Sequence, residues 1–328
     1  MFFSIIIPTY NPNEYLPTLL TSISKNECID DIEIIISDDC STKPFNEIVN
    51  SFGNLRINQI SNDKHYGFPR NGRQHGAEVA TGKWITFADQ DDYFLDNAFD
   101  KIKTFIEENE AENYLVSDFI IETVSSGKYT ICDGKKGWTH GKFYEKSFWD
   151  KYNLGYDEID HCEDINLSTK VSCIMSIENI IGYQFTEPIY VWHRRNDSLC
   201  DTQYFIEGMP DYERCTIGVI MDYMEKYKDD EKILGELNVK FITALYHTYF
   251  YFQTDLLKYN KKMLFETLAV LHPIFDRYKK LTQCTVNDII RVTNEDLRNL
   301  YSEIRNGDYQ QVPFLESMTF IDWMKAYF

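Results

Sequence analysis

The sequence predicts a doubly wound α/β fold with a mixed sheet, followed by an α-helical C-terminal region. Three observations carry that prediction. Strand and helix signals alternate from Met1 to about Ala88, three apolar strands in that stretch end in polar tips, and beyond about Gln203 the pattern changes to long amphipathic helices. A chain of 328 residues accommodates one large α/β domain, expected over residues 1–203, and a smaller helical region over 204–328.

The elements follow in order. Phe3 to Pro8 is a buried strand running into Thr9-Tyr10-Asn11-Pro12. Leu16, Leu19, Leu20 and Ile23 then fall at helical spacing, with Pro12 and Asn13 at the helix entrance. Ile32 to Ser37 is the second strand, ending in Asp38-Asp39-Cys40-Ser41-Thr42, where Ser41 or Thr42 before Pro44 suits a helix N-cap. A helix around Asn46 to Ser51, a strand near Ile57 to Ile60 and a helix from about Gly72 to Ala80, stopped by Gly82, lead to the short apolar strand Trp84 to Ala88. In the next stretch Leu115 to Ile121 reads as a strand, Lys146 to Tyr152 as a short helix and Ile189 to His193 as a strand. Between them Glu163 to Val171 reads as a helix whose two leading acids suit its positive end. Lys232 to Gln253 and Leu256 to Leu271 are the amphipathic helices of the C-terminal region.

Composition narrows the function. Hydrophobic residues make up 43% and aromatic residues 15%, as a folded chain requires. A net charge of -19 argues against nucleic acid as a general partner, because phosphate binding needs a cationic surface. It favours a site where a divalent ion supplies the positive charge. The eight cysteines include no C-x-x-C pair, which argues against zinc or a redox couple and for reduced cytosolic thiols. Met1 to Pro8 reads as a strand and not a targeting segment, and no run approaches the roughly 18 apolar residues that span a bilayer.

The most telling motif is Asp89-Gln90-Asp91-Asp92, three carboxylates at the end of a buried strand. Strand ends of open α/β sheets are where ligands bind, and carboxylates spaced this way hold a hard cation that also grips a diphosphate. Asp38-Asp39 can accept the imide hydrogen of a uracil or the hydroxyls of a ribose, and Tyr10 can flank a base. Arg70, before a helix, offers a guanidinium to a phosphate or base. Glu163-Asp164 supplies the candidate general base for an attacking hydroxyl. The tip after the first strand has no glycine, which excludes the G-x-G-x-x-G turn of a dinucleotide-binding dehydrogenase.

Taken together these motifs resemble the inverting GT-A glycosyltransferases of family 2. The order matches: S-I-I-I-P-T-Y-N-P at Ser4 to Pro12, I-S-D-D-C-S-T at Ile36 to Thr42 and P-R-N at Pro69 to Asn71. A-T-G-K-W-I-T-F-A-D-Q-D-D at Ala80 to Asp92, C-E-D at Cys162 to Asp164 and Y-V-W-H-R-R-N-D-S at Tyr190 to Ser198 follow. The resemblance implies a Rossmann-like GT-A sheet and a UDP-sugar donor, with Pro8, Thr9 and Tyr10 lining the nucleoside pocket and Asp39 holding the uracil. Arg70 would lie near the base or phosphates, Asp89 and Asp91 would hold the donor and a Mn2+ or Mg2+ ion, and Asp164, with Glu163 beside it, would be the base. His193, Arg195 and Ser198 match a later element associated with the diphosphate. The implied reaction is a single in-line displacement that turns an α-linked donor into a β product. UDP-glucose, UDP-galactose or their N-acetyl forms are the expected donors, and a glycan, a lipid-linked glycan or a glycoprotein the expected acceptor.

The resemblance covers about Met1 to Ser198. Gln90 stands where a small residue is commoner, and the segment Asn62 to Phe68 is longer than the family's spacing, which leaves Asn62 and Gly67 without assigned roles. Two other readings stand beside it: a nucleotidyltransferase, which should carry a basic glycine-rich loop that this sequence lacks, and a non-catalytic nucleotide-sugar binder. The expected setting is cytoplasmic, with the C-terminal helices as candidates for self-association or contact with the inner membrane face.

Overall fold

Strand β1 (Phe3–Thr9) is buried along its whole length because it lies between two parallel neighbours, β2 (Ile32–Asp38) and β4 (Trp84–Phe87). The computed structural model describes residues 1–12, 14–134, 137–159, 161–195, 207–253, 261–284 and 320–328. They fall into two compact units, Met1–Ser168 with Asn179–Leu199, and Thr169–Glu178 with Cys200–Phe328.

In the first unit β3 (Ile57–Ser61) extends the parallel set to the order β3-β2-β1-β4, joined by α1 (Leu16–Ser24), α2 (Asn46–Ser51) and α3 (Pro69–Val79). Antiparallel β8 (Lys142–Glu145) and β6 (Tyr114–Thr123) continue the sheet. Then come β9 (Tyr183–Arg194), parallel to β6, and at the edge β5 (Tyr93–Phe94), while β7 (Lys128–Cys132) pairs with β6. The mixed, doubly wound sheet is as expected. Its crossovers lead from β1 to β2 and β3 on one side, whereas β4 lies on the other. That reversal opens a crevice at the carboxyl ends of the strands, where Thr9 stands opposite Asp38 and β4 runs out towards Asp89.

Several elements reach further than the sequence pattern. Helix α3 begins at Pro69 and not Gly72, since a proline in the first turn forfeits no hydrogen bond. Helix α6 (Glu163–Ile177) runs past Val171, and β9 begins at Tyr183, in a half-exposed stretch that bulges against β6 near Asp118. β5, β7, β8 and α4 (Ala98–Asn109) come in addition, and the short helix α5 (Lys146–Lys151) stops one residue before Tyr152.

The contact of α3 with β1 depends on two small residues. A Cβ at Gly76 would lie 2.3 Å from Cγ2 of Ile6, and one at Gly72 would lie 2.9 Å from Cβ of Pro8. Only glycine permits this approach. It carries Arg73, between them, into a position where it is 3% exposed.

The second unit is helical. Glu231–Gln253, Lys261–Thr282 and Phe320–Tyr327, with Met209–Glu213 and Val219–Lys226, enclose Leu237, Phe241, Tyr278 and Trp323. The helix expected over Leu256 to Leu271 is described from Lys261 and continues through Pro273 to Thr282, while residues 254–260 lie outside the described residues. No helix among the described residues is long and apolar enough to cross a membrane.

Glu213 is fully buried there. Its Oε2 accepts a hydrogen bond from Thr248 Oγ1 at 2.8 Å, and its Oε1 has no partner among the described residues. Burial pushes the carboxyl up to about 8, against 4.5 for an ordinary glutamate. The folded state therefore binds more protons than the unfolded chain between those values, and this group's contribution to stability falls as pH rises through that window. Glu213→Gln removes that slope. Urea titrations at pH 5, 7 and 9 should show wild type losing stability relative to the variant as pH rises; a pH-independent difference would refute the assignment.

Candidate active site

The tip of β4 is a tight turn in which the Asp92 amide donates to the Asp89 carbonyl at 3.1 Å. The turn returns Asp92 to the side of Asp89, while Asp91 meets Arg195. Asp89 Oδ1 accepts from Arg73 Nη2 at 2.6 Å. Asp92 accepts from the Tyr190 hydroxyl at 2.6 Å and from the His193 amide at 2.8 Å. Asp91 Oδ2 meets Arg195, at 3.0 Å from Nε and 2.8 Å from Nη2, and Arg195 Nη1 also donates to the Tyr15 hydroxyl. Gln90 ties this turn to the β1 tip: its Oε1 accepts from the Tyr10 amide at 2.8 Å and its Nε2 donates to the Tyr10 carbonyl at 3.1 Å.

Three carboxylates this close suppress one another's ionisation. Burial, and then the Asp89 and Asp91 charges, push Asp92 well above the usual carboxylate range. Burial and Asp89 push Asp91 up as well. Asp89 stays low, because Arg73 and His140 outweigh its burial.

Beside them His140 lies parallel to the Tyr190 ring, with centroids 5.4 Å apart. Burial lowers it to about 4, so at neutral pH the imidazole is uncharged and keeps a lone pair. Asp89, Asp92 and His140 present ligand atoms that all lie within 4.8 Å of one another. Two carboxylates with a neutral imidazole suit a divalent ion, and such a charge would relieve the crowding of the aspartates. The structure brings this trio together, and Asp91, expected beside Asp89 at a metal, is engaged by Arg195.

Arg73 spans the crevice. Its Nη1 donates to Glu163 Oε1 at 2.5 Å while Nη2 holds Asp89, so one buried guanidinium joins the β4 tip to the start of α6. Next to Glu163, Asp164 Oδ1 accepts the Ile165 amide at 2.8 Å. Burial, and then the Glu163 charge, push Asp164 up to about 7. Lys142, buried in β8, donates to the Trp138 carbonyl, and burial lowers it to about 7 against the attraction of Asp164.

At the β2 end Asp39 is 8% exposed. Its carboxylate accepts from Asn62 Nδ2 at 2.7 Å, the Tyr66 amide at 3.0 Å and the Gly67 amide at 2.8 Å. His65 Nδ1 lies 2.9 Å from Oδ2. These donors outweigh burial and hold Asp39 below the usual range. Asn62 and Gly67 thus both serve Asp39. Tyr10, 38% exposed, stacks on His65 with centroids 4.4 Å apart, and Thr9 Oγ1 donates to the Ile7 carbonyl.

Helix α2 starts at Asn46 without a side-chain cap, so neither Ser41 nor Thr42 caps it. Ser41 Oγ donates to Asp38, and the Thr42 amide donates to Asn11 Oδ1, because the two strand tips are tied to each other. Arg70 Nη1 donates to the Asp157 carbonyl at 3.3 Å, and His193 Nδ1 lies 2.8 Å from Glu122 Oε2. Ser198 lies outside the described residues. Arg73, His140, Lys142 and His65 are candidate-site residues that lie outside the sequence motifs, and Tyr190 opens the last motif without a role read from it.

The family described as Glycosyl transferase family 2 matches residues 4–163, which contain β1, β2, β4 and the approach to Asp164. Over these residues the chain is similar to glycosyl transferase family 2. Among curated relatives, the poly(ribitol-phosphate) beta-N-acetylglucosaminyltransferase TarS of Staphylococcus aureus is 32% identical over 120 residues, 35% of this chain and 21% of that protein. A GalNAc(5)-diNAcBac-PP-undecaprenol beta-1,3-glucosyltransferase of Campylobacter jejuni is 30% identical over 122 residues, 36% of this chain and 38% of that one. The matched stretches thus span well under half of these two relatives. Among solved structures, residues 1–349 of S. aureus TarS in complex with UDP-GlcNAc superpose with a TM-score of 0.64 at 20% identity, covering 84% of this chain and 81% of that one. That likeness shows the shared fold, which is the GT-A fold of family 2.

Proposed function

We propose that the chain is an inverting glycosyltransferase that moves a hexose or N-acetylhexosamine from a UDP-sugar to a hydroxyl of a glycan, glycolipid or glycoprotein. The observation that carries this reading is the Arg73 bridge, which ties a carboxylate cluster suited to a nucleoside diphosphate to Glu163, the neighbour in sequence of the buried Asp164 carboxyl suited to a base. The UDP-GlcNAc bound by S. aureus TarS supports the choice of donor.

In this mechanism Pro8, Thr9 and Tyr10 line the nucleoside pocket and Asp39 reads the uracil, after His65 yields its place on the carboxylate. Arg70 lies at the nucleotide side, and Arg195, His193 and Ser198 belong to the diphosphate side. Asp89, Asp92 and His140, with Asp91 adjacent, would hold Mn2+ or Mg2+, which when bound supplies positive charge for the diphosphate. Asp164 takes the proton of the acceptor hydroxyl, whose oxygen attacks the anomeric carbon as the bond to the diphosphate breaks, inverting that centre. Glu163 is the companion that Arg73 fixes. Arg73 also keeps the Asp89 and Glu163 charges compensated as the nucleotide enters. The cytoplasm, where UDP-sugars are made, is the proposed site of action.

The first experiment measures nucleotide release from UDP-, GDP-, ADP- and CMP-sugars with Mn2+, Mg2+ or EDTA. Slow release of UDP from one UDP-sugar, abolished by EDTA, is expected. No release, together with no thermal shift from UDP plus Mn2+, would overturn the proposal in favour of a non-catalytic role.

A further inference from the structure

The nucleoside pocket already holds a flat ring of the chain itself. His65 lies in the segment between β3 and α3, and its imidazole stacks on the Tyr10 ring with centroids 4.4 Å and planes 30° apart. That spacing leaves no room for a base between the two rings. Its Nδ1 lies 2.9 Å from the Asp39 carbonyl oxygen and 2.9 Å from Asp39 Oδ2. Both of those atoms only accept, since the donors around Asp39 hold its carboxyl below the usual range and keep it ionised. Nδ1 therefore carries the proton and donates.

These are the two contacts that a uracil read by Asp39 would make: a stack on Tyr10 and a ring N–H donated to the carboxylate. Both cannot be served at once. A carboxylate offers about four acceptor positions, and Asn62 Nδ2 with the Tyr66 amide on Oδ1, and the Gly67 amide with His65 on Oδ2, fill them. One partner has to leave, and the surroundings single out His65. Tyr10 is fixed through its backbone, because its amide donates to Gln90 Oε1 and its carbonyl accepts from Gln90 Nε2. The Tyr66 and Gly67 amides tie the segment to Asp39 without help from the imidazole. The His65 side chain is 48% exposed, so it can swing out while those amide bonds stay made.

We propose that His65 is the residue that sets donor affinity: its imidazole stands in for the base in the empty protein, and a uridine nucleotide binds by exchanging its own ring and N–H for those of His65. This rests on the glycosyltransferase reading and deepens it at the same site. The exchange leaves Asp39 with as many donors as before, so no acceptor is stranded when the nucleotide enters. It also makes the open pocket a minority state of the empty protein. The apparent affinity of a site falls by the fraction of molecules in which it is open, so the imidazole weakens donor binding.

The test is calorimetric titration of wild type and His65→Ala with UDP plus Mn2+, and with inorganic diphosphate plus Mn2+. Removing the imidazole should tighten UDP about tenfold. Diphosphate carries no base and should bind the two proteins within a factor of two. His65→Phe keeps the stack without the donor and should fall between them for UDP. Nitrogen-15 NMR of labelled histidines follows the ring directly, the His65 signal being the one that His65→Ala lacks. It should show a protonated, hydrogen-bonded Nδ1 in the empty protein and a mixture of both tautomers once UDP is bound. Thermal melting checks that each variant is folded. Unchanged or weaker UDP binding by a folded His65→Ala, an equal gain for diphosphate, or a His65 signal that UDP does not move would each overturn the exchange. UDP binding by wild type leaves the donor reading standing in all of those cases. If UDP binds neither protein, both fall together.

Discussion

Asp164→Asn should reduce glycosyl transfer by roughly 10²- to 10⁴-fold, the usual share of a general base, while UDP affinity measured calorimetrically stays within a factor of two. The pH profile ties the effect to this carboxyl. Burial first, then Glu163, raises Asp164 to about 7, with Arg73 and Lys142 pulling in the opposite direction. A protonated carboxyl cannot accept the acceptor's proton, so wild-type kcat/KM is expected to climb about tenfold per pH unit below this value and to level off above it. The Asn variant should lack that limb.

Stability supplies the control. Because the folded pKa lies above the ordinary 3.8, the folded protein binds the extra proton between about pH 4 and 7, and ionising Asp164 destabilises it above that window. Asparagine carries no such penalty, so the variant should be at least as stable as wild type at pH 8. Full activity in Asp164→Asn, or a loss matched by unfolding, would remove Asp164 from the role of base.

The framework of this site was legible in the sequence because the strands announce themselves. Ile5-Ile6-Ile7 and Ile34-Ile35-Ile36 are short β-branched runs with polar tips, and parallel strands buried on both faces read this way. From such tips the crevice follows by topology. The partners inside it do not. Arg70 is the centre of a recognisable Pro-Arg-Asn triplet, but Arg73 is the residue between Asp89 and Glu163, and its only local signal is the pair of glycines around it. His140 has no motif; it reaches Asp92 because β8 pairs with β4 and β6, a long-range antiparallel pairing that a local pattern does not encode. The choice between Asp91 and Asp92 beside Asp89 turns on a tight turn and on long-range partners, Tyr190 and His193 for Asp92 and Arg195 for Asp91. Spacing in sequence gives no access to it.

Arg73→Met should be the most damaging single change in the first unit. The guanidinium is 3% exposed, holds Glu163 at 2.5 Å and Asp89 at 2.6 Å, and lies over the Tyr156 ring. Its removal leaves Asp89 and Glu163 without the guanidinium they share, close to Asp91, Asp92 and Asp164. Breaking a buried pair by deleting one partner costs about 3–5 kcal/mol, and that single figure is taken for the one guanidinium that both carboxylates share. For a unit of this size each kcal/mol moves Tm by about 2–4 °C, so a fall of roughly 6–20 °C is expected in calorimetry. Arg73→Lys separates charge from geometry. An ammonium restores the positive charge but lacks the fork that holds both carboxylates at once. It should therefore recover much of the stability and little of the transfer rate. Adding Glu163→Gln to Arg73→Met should return part of the lost stability, because one stranded charge is gone. If Arg73→Met unfolds within 2 °C of wild type, or if Arg73→Lys transfers sugar at the wild-type rate, the bridge does not hold the two halves of the site in register, and the mechanism loses the contact that joins donor to base.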